Sequence, residues 1–318
     1  MPVSTDDAIA AVQTSVALVD RSHWGRIQVS GADRLRFLHN QTTNDLQSLQ
    51  PGQGCETVFV TSTGRTIDLV TALLLEESVL LLTSPGYDQR LIDWMDRYIF
   101  FADRVELKNL TSETACFTLI GSQSDKLLES IGATLPTQPY QHQVVSIAGV
   151  EVRISVGTGL ALPGYTLFVA AADADSLRQH LTAEATILGD SDWERLRVAQ
   201  GRPMPDRELT EDYNPLEAGL WHTISLSKGC YIGQETIARL HTYRGVKQQL
   251  WGVRLAGEAV PDTPVFAGDE KIGKLTSAID SIGLAYIRTK ATAPDLTVQI
   301  GDTTGKLVAL PYLSHEYP

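Results

Sequence analysis

KGCYIGQE, residues 228–235, sets a cysteine among a lysine, two glycines and a Gln-Glu pair, and the reading of the whole chain turns on it. A lone cysteine is ordinarily a small buried apolar group. Here a short helix is expected over 235–240, which places Cys230 just ahead of a helix N-terminus with Lys228 close by. The helix end carries about half a positive charge, and a neighbouring ammonium lowers a cysteine pKa from about 8.5 toward ~3.5–7.5, so both features favour a thiolate. Gly229 and Gly233 allow close backbone approach or a positive φ that a side chain would forbid. The same residues also suit a plain packed turn, with Cys230 beneath it and Glu235 capping the helix. A cysteine hydrolase with His222 or His241 as base is a further alternative, without an evident oxyanion motif.

Upstream, the segment NPLEAGLW (214–221) leads into the motif, and Pro203, Pro205 and Pro215 punctuate 202–215, a connection long enough to be a candidate functional loop. Downstream of about Gln248, Trp251, Val253 and Leu255 alternate, turn-rich VPDTP and FAGDEKIG follow, and Ile282, Leu284 and Tyr286 alternate again. That period-2 texture predicts a small all-β C-terminal domain, a compact barrel. Toward the N-terminus, strands are expected at 58–60, 71–75 and 79–83, the last two joined as a hairpin across Glu76-Glu77-Ser78. Leu91, Trp94, Met95 and Tyr98 recur at helical spacing over 87–99, a second helix is expected over 174–188, and Pro136 and Pro139 mark a possible joint at 134–141.

The 318 residues carry 38 acidic against 26 basic side chains, a formal net charge of −12. That balance argues against wrapping phosphate backbones, since nonspecific nucleic-acid affinity comes from Lys and Arg neutralising phosphates. No apolar run reaches the roughly 18 residues of a membrane span, and the acidic N-terminus lacks the pattern of a secretory signal; a cytoplasmic protein is expected. Cys55, Cys116 and Cys230 are too widely spaced for a zinc or redox motif. No stably bound metal is therefore expected, and Cys230 enters cluster chemistry only as a ligand shared with a partner, because an iron–sulfur cluster typically takes about four thiolates.

Taken together, residues 197–255 resemble the YgfZ family, whose signature is a lysine-glycine-cysteine run ending in Gly-Gln-Glu. GADRLRFLHNQTTNDL (31–46) resembles the family's N-terminal helix and Thr-x-Asp segment, and GKLTSAIDSIGLAYIR (273–288) its C-terminal barrel. The family is related to the glycine-cleavage T-protein, an aminomethyltransferase that uses tetrahydrofolate. The resemblance implies an α+β, T-protein-like folate-binding fold over 1–245, followed by a small all-β barrel over 246–318. It also implies folate-linked support of iron–sulfur cluster assembly or repair, with folate and cluster-handling proteins as partners.

Residue by residue, the resemblance implies Thr43, Asn44, Asp45, Arg197, Glu217 and Arg239 as folate contacts, and Cys230, Lys228 and Asp68 as the reactive set. Gly229, Tyr231, Gly233, Gln234 and Glu235 complete the motif. Thr43, Asn44 and Asp45 equally suit a helix cap. Ala199 stands where T-proteins carry a pterin-pairing glutamate, with Gln200 or Glu217 as possible substitutes. Asp68 matches the T-protein catalytic aspartate imperfectly. Those departures lean toward the family's mitochondrial iron–sulfur assembly factor, which the chain resembles at GRT (64–66), PLE (215–217) and KGCYIGQE. Three readings stay open: an assembly factor presenting Cys230, a folate-dependent aminomethyl or methyl transferase, and an interaction module with a vestigial folate pocket whose partners dock on the basic strip through Arg244 and Lys247.

Overall fold

The computed structural model describes residues 12–317. The chain forms two compact units, one from the chain up to Thr57 together with Val70–Trp193, the other from Val58–Leu69 together with Glu194 onward. This differs from a division at 245/246. Residues 58–69 and 194–245 fold with the barrel because Val58, Val60, Leu69, Val198, Leu209 and Leu220 share one core with Leu250, Leu284 and Tyr286, and that apolar burial is the main stabilising term available.

In the first unit β1 (Ala17–Asp20), β7 (Thr114–Ile120), β8 (His142–Ile147), β9 (Val150–Val156), β10 (Gly164–Ala170) and β11 (Thr186–Leu188) make a six-stranded sheet in the order β11-β1-β7-β10-β9-β8. A five-stranded sheet runs β3-β4-β5-β2-β6, from β2 (Trp24–Ser30), β3 (Gly54–Val60), β4 (Thr66–Leu74), β5 (Ser78–Pro85) and β6 (Glu106–Asn109). The expected hairpin is present: Leu74 faces Val79 and Leu75 donates its N–H to the Ser78 carbonyl at 2.8 Å. Phe117, Leu119, Val152, Ile154 and Leu167 fill the core of the larger sheet, and Leu177 and Leu181 pack onto them.

Two helices are shorter than their periodicity suggests. The first is Asp88–Asp96, with Leu91, Trp94 and Met95 buried. It ends in tightened i−3 bonds, Tyr98 N–H to the Met95 carbonyl and Ile99 N–H to that of Asp96, leaving Phe100 and Phe101 exposed. The second is Ala174–Leu181 rather than 174–188. Its continuation becomes β11, which pairs in parallel with β1, Ala17 opposite Thr186 and Val19 opposite Leu188; strand pairing with β1 outweighs the fortuitous helical spacing of Leu188.

The segment 134–141 is an ordered turn within the first unit, not a boundary: Gln141 Oε1 accepts the N–H groups of Thr137 and Gln138, and the Tyr140 hydroxyl donates to Glu56 Oε2 at 2.9 Å. Just beyond it His142 is buried, with Nε2 at 3.1 Å from the Leu74 carbonyl and Nδ1 at 3.0 Å from Arg153 Nη1. The carbonyl needs a donor and the guanidinium an acceptor, so the ring is neutral with its proton on Nε2.

The second unit ends in a closed antiparallel barrel of β12 (Gln248–Leu255), β13 (Pro264–Ala267), β14 (Glu270–Ile279), β15 (Ile282–Arg288), β16 (Thr297–Ile300) and β17 (Thr303–Val308), in the order β12-β15-β14-β13-β16-β17. Val253, Val265, Leu275, Ile287, Val298 and Leu307 fill it. A bulge between Leu275 and Ser277 shifts the β14–β15 register, and such a bulge re-aims side chains. Here Ser277 turns into a buried ionic cluster.

Burial, with the Arg153 charge adding to it, depresses His142 from 6.5 to about 4. A depressed folded-state pKa gives stability that is complete above the unfolded value and lost as pH falls through the folded one. His142→Gln is therefore expected to flatten the decline in the urea midpoint between about pH 6.5 and 4 relative to the parent chain; parallel curves would show that the ring carries no acid sensitivity.

Candidate functional site

The helix Asp190–Gln200 carries Arg197, whose side chain is fully buried. Its Nε and Nη2 donate to the two Glu194 carboxylate oxygens at 2.6 Å, Nη1 to Glu208 Oε2 at 3.1 Å and to the Arg202 carbonyl at 3.3 Å, and Nη2 also to Ser277 Oγ at 2.8 Å. Glu208 Oε1 in turn accepts from Ser277 Oγ at 2.6 Å, and the Glu208 carbonyl from the Tyr286 hydroxyl at 2.8 Å. Burial alone would lower the Arg197 pKa, but Glu208 and Glu194 outweigh it and raise it. With five N–H donors and five bonds, Arg197 has nothing to offer folate. It is a structural cation that fastens the long loop to the barrel.

That loop delivers Tyr213, Asn214 and Glu217. Asn214 Oδ1 accepts the N–H groups of Leu216 and Glu217 at 3.0 Å, an Asx-type turn that folds the Glu217 carboxylate back onto the Asn214 N–H at 3.1 Å. Glu217 is buried, and burial raises its pKa against the opposing pull of the Asn214 N–H, Arg65, Gln248 and Lys247. Arg65 Nη1 lies 3.7 Å from Glu217 Oε2 and donates to the Asp212 carbonyl at 2.9 Å. Thr66 binds the same loop, its N–H reaching the Tyr213 carbonyl at 2.9 Å and its hydroxyl the Thr210 carbonyl at 2.9 Å. Tyr213 stacks on Tyr286 with ring centroids 3.5 Å apart.

The Cys230 loop meets the same turn. Gly233 has φ +78° and a Cβ there would lie 2.6 Å from the Thr61 carbonyl oxygen and 2.8 Å from Gly64 Cα. GRT, PLE and KGCYIGQE, remote in sequence, thus converge within the second unit. Cys230 is exposed. The helix behind it is Gln234–Thr242, starting one residue earlier than expected, with Gly233 as its N-cap and no side-chain cap bond; Glu235 lies exposed in its first turn. Lys228 is buried, its ammonium 4.8 Å from the Tyr231 ring centroid, within reach of a cation–π contact. Tyr231 is buried and its pKa pushed up to about 12. Gly229 and Gln234 complete the loop, and Arg239 is exposed on the helix.

Other expected residues have these surroundings. No hydrogen bond or ion pair joins Cys230 to His222 or His241 among the described residues; His222 packs edge-on against Tyr312 and His241 joins Trp221 and Tyr317. Asp68 is fully buried on β4. Thr43, Asn44 and Asp45 belong to the first unit, where their polar atoms serve the turn. Asn44 Nδ2 donates to the Glu56 carbonyl at 2.8 Å and Thr43 Oγ1 lies 3.5 Å from Thr57 Oγ1. Asp45 Oδ1 accepts from Gln47 and Ser48 and lies 3.2 Å from His39 Nδ1. Of the expected folate contacts, Glu217 retains acceptor capacity beyond its internal bonds, since a carboxylate offers about four lone-pair sites. Arg65 and Gln248 were not anticipated; GRT was the signal that pointed at Arg65. No group of three or more metal-ligating side chains occurs among the described residues.

This arrangement, a buried carboxylate loop tied to a closed barrel beneath a cysteine-bearing turn, defines a protein of the aminomethyltransferase fold. Residues 3–228 match the GCVT N-terminal domain family and residues 248–311 the CAF17 C-terminal beta-barrel domain; the chain belongs to the GCVT family, as a member of the YgfZ/CAF17 type. It is 44% identical to a putative chloroplastic transferase of Arabidopsis thaliana over 98% of this chain and 75% of that protein. It is 30% identical to an aminomethyltransferase of Listeria monocytogenes serotype 4a, over 94% of this chain and 86% of that one. The crystal structure of the glycine cleavage system aminomethyltransferase T from Bartonella henselae superposes with a TM-score of 0.85 over 99% of this chain and 91% of that chain, at 17% identity, which establishes a shared fold.

Gly233→Ala is expected to cost about 2–4 kcal/mol, combining a side chain at positive φ with overpacking against backbone. Gly229→Ala, at a position with open space around it, is expected to be near neutral. Urea unfolding of both checks this, and equal stability would show that the two turns do not depend on their close approach.

Proposed function

We propose that the chain is a folate-binding protein that supports iron–sulfur cluster assembly or repair, presenting Cys230 to a cluster-handling partner. The observation that carries the reading is the exposed thiol of Cys230 on a loop anchored by Gly233 against the Gly64 turn. A thiolate there supplies one ligand of a cluster treated as cargo, and the partner supplies the rest. A cytoplasmic location belongs to this reading; no helix among the described residues is long and apolar enough to cross a membrane.

For folate, Glu217 is the residue that would accept N–H donors of the pterin ring, with the Arg65 charge alongside, and Arg239 is an exposed cation suited to a glutamate carboxylate. When bound, folate would supply one-carbon chemistry. Aminomethyl transfer of the T-protein kind is the second reading, favoured by the name of the Listeria relative. Against it stand Ala199 in place of an acidic residue and the full burial of Asp68.

In cells whose own copy is replaced, Cys230→Ala is expected to lose support of iron–sulfur enzymes while melting at the parental temperature; full enzyme activity would remove the thiol from the function. Anaerobic calorimetry with tetrahydrofolate is expected to show saturable binding that Glu217→Ala weakens at least about tenfold, ~1.4 kcal/mol. Equal binding by the variant would place folate away from Glu217, and no heat with either protein would remove folate from the reading.

A further inference from the structure

We propose that a cleft within the first unit binds a small monocarboxylate with a branched apolar body, its carboxylate held by Arg153. The site goes beyond the folate and cluster reading and does not depend on it.

The cleft has a volume of about 230 Å³ and is lined by residues of both sheets of that unit. Leu80 on β5, Leu110 just after β6, Val144 on β8 and Phe168 on β10 are its apolar walls. Strand register sets the polar part. Arg153 on β9 has Val144 and Phe168 as its cross-strand partners, so the guanidinium rises between them on one face of the sheet. His142 fixes its direction: Nδ1 accepts from Arg153 Nη1 at 3.0 Å while Nε2 is tied to the Leu74 carbonyl at 3.1 Å. Arg153 makes no other side-chain hydrogen bond or ion pair among the described residues, which leaves the rest of its five N–H donors for a ligand.

Charge selects the occupant. Two guanidinium groups line the cleft, Arg26 and Arg153, and among the described residues neither has a carboxylate at ion-pair distance. Arg26 is fully buried, and its bonds run to the Thr114 hydroxyl and to the carbonyls of Ser22, Trp24, Thr111 and Thr114. Those acceptors are neutral, so Arg26 contributes charge to the cleft rather than donors. Of the acids that act on it from farther off, Asp88 accepts from Asn109 and Thr111, and Asp20 pairs with Arg178. Burial lowers the pKa of Arg26 against the pull of Cys116, Asp88 and Asp20, and burial alone lowers that of Arg153. A desolvated cation ordinarily sits beside a counter-charge. Neutral His142 cannot provide one to Arg153, whereas a ligand carboxylate can, through the paired N–H geometry of a guanidinium. Glu151 is the one acid in the lining; it is exposed, two residues from Arg153 on β9, where it disfavours a second negative charge on the ligand. At ~30 Å³ for each water-sized group, the volume holds about eight non-hydrogen atoms, the size of isocaproate.

Saturation-transfer NMR on the full chain, with isocaproate as the probe, tests the site. Isocaproate is expected to bind with a dissociation constant below about 1 mM. The neutral isocaproamide and the cationic isoamylamine are expected to bind at least about tenfold more weakly, and succinate more weakly than isocaproate because of Glu151. Arg153→Gln and Val144→Glu are each expected to weaken isocaproate at least about tenfold, the second by giving Arg153 a counter-charge of its own. Val144 is 48% exposed, so Val144→Glu is expected to melt at the parental temperature, and it decides the matter should Arg153→Gln lose stability. No binding of isocaproate, equal binding of isocaproamide, or indifference to Val144→Glu or to a folded Arg153→Gln would overturn the proposal. Displacement of isocaproate by tetrahydrofolate would also overturn it, by assigning the cleft to a carboxylate of folate.

Discussion

Arg197 and Glu208 form the contact on which the second unit depends. Two full charges in a side-chain-packed interior are costly to desolvate, and such a pair is tolerable only when every donor and acceptor is satisfied. Here that condition is met by Glu194, the Arg202 carbonyl, Ser277 and Tyr286. The result is orientational more than energetic. One cation joins the end of a helix, the start of a long loop and a bulged barrel strand, and the loop so fastened is the one that delivers Glu217 and leads into Cys230. The bulge at Ser277 is part of the same device, since without the register shift the hydroxyl would not turn to the pair.

The arrangement explains how a loop with little secondary structure can hold a site. Residues 202–220 are mostly buried, with Asp206, Arg207, Glu211 and Asp212 exposed, yet they contain few elements. Their backbone polar groups find partners locally, through the Asn214 turn and the Thr66 bonds, as buried backbone must. The site is therefore preorganised by hydrogen bonds from β4 and by ionic contacts from the barrel, leaving the cysteine loop as its exposed part.

Much of the fold was legible because it follows from periodicity. The alternation at Trp251, Val253 and Leu255 marked β12, and Glu76-Glu77 marked the hairpin, since both depend only on neighbours in sequence. The strand Thr186–Leu188 was missed because its pairing with Ala17–Val19 is a long-range matter on which local spacing is silent. For the site, KGCYIGQE singled out the cysteine loop while leaving open whether the thiol packs beneath the turn or is exposed, and the resemblance identified the family. Arg197 was taken as a ligand contact, because a sequence cannot show that its five donors are already engaged. Lys228 was assigned to the thiol, and the structure adds a contact that sequence spacing does not show, its ammonium 4.8 Å from the Tyr231 ring centroid. Arg65 pairs with Glu217 only once β3 and β4 bring the turn between them to the loop.

Closure of the barrel has a consequence for association. Each of its six strands has a partner on both sides, β12 joining β15 to one flank and β17 to the other, so the barrel presents no open row of N–H and carbonyl groups on which another chain could extend a sheet. The sheets of the first unit do have edges, but two of these are short: β11 has three residues and β6 has four. Recruitment through added strands is thus disfavoured where the cysteine loop lies, and selectivity there falls to side chains, which can be changed one at a time without endangering solubility.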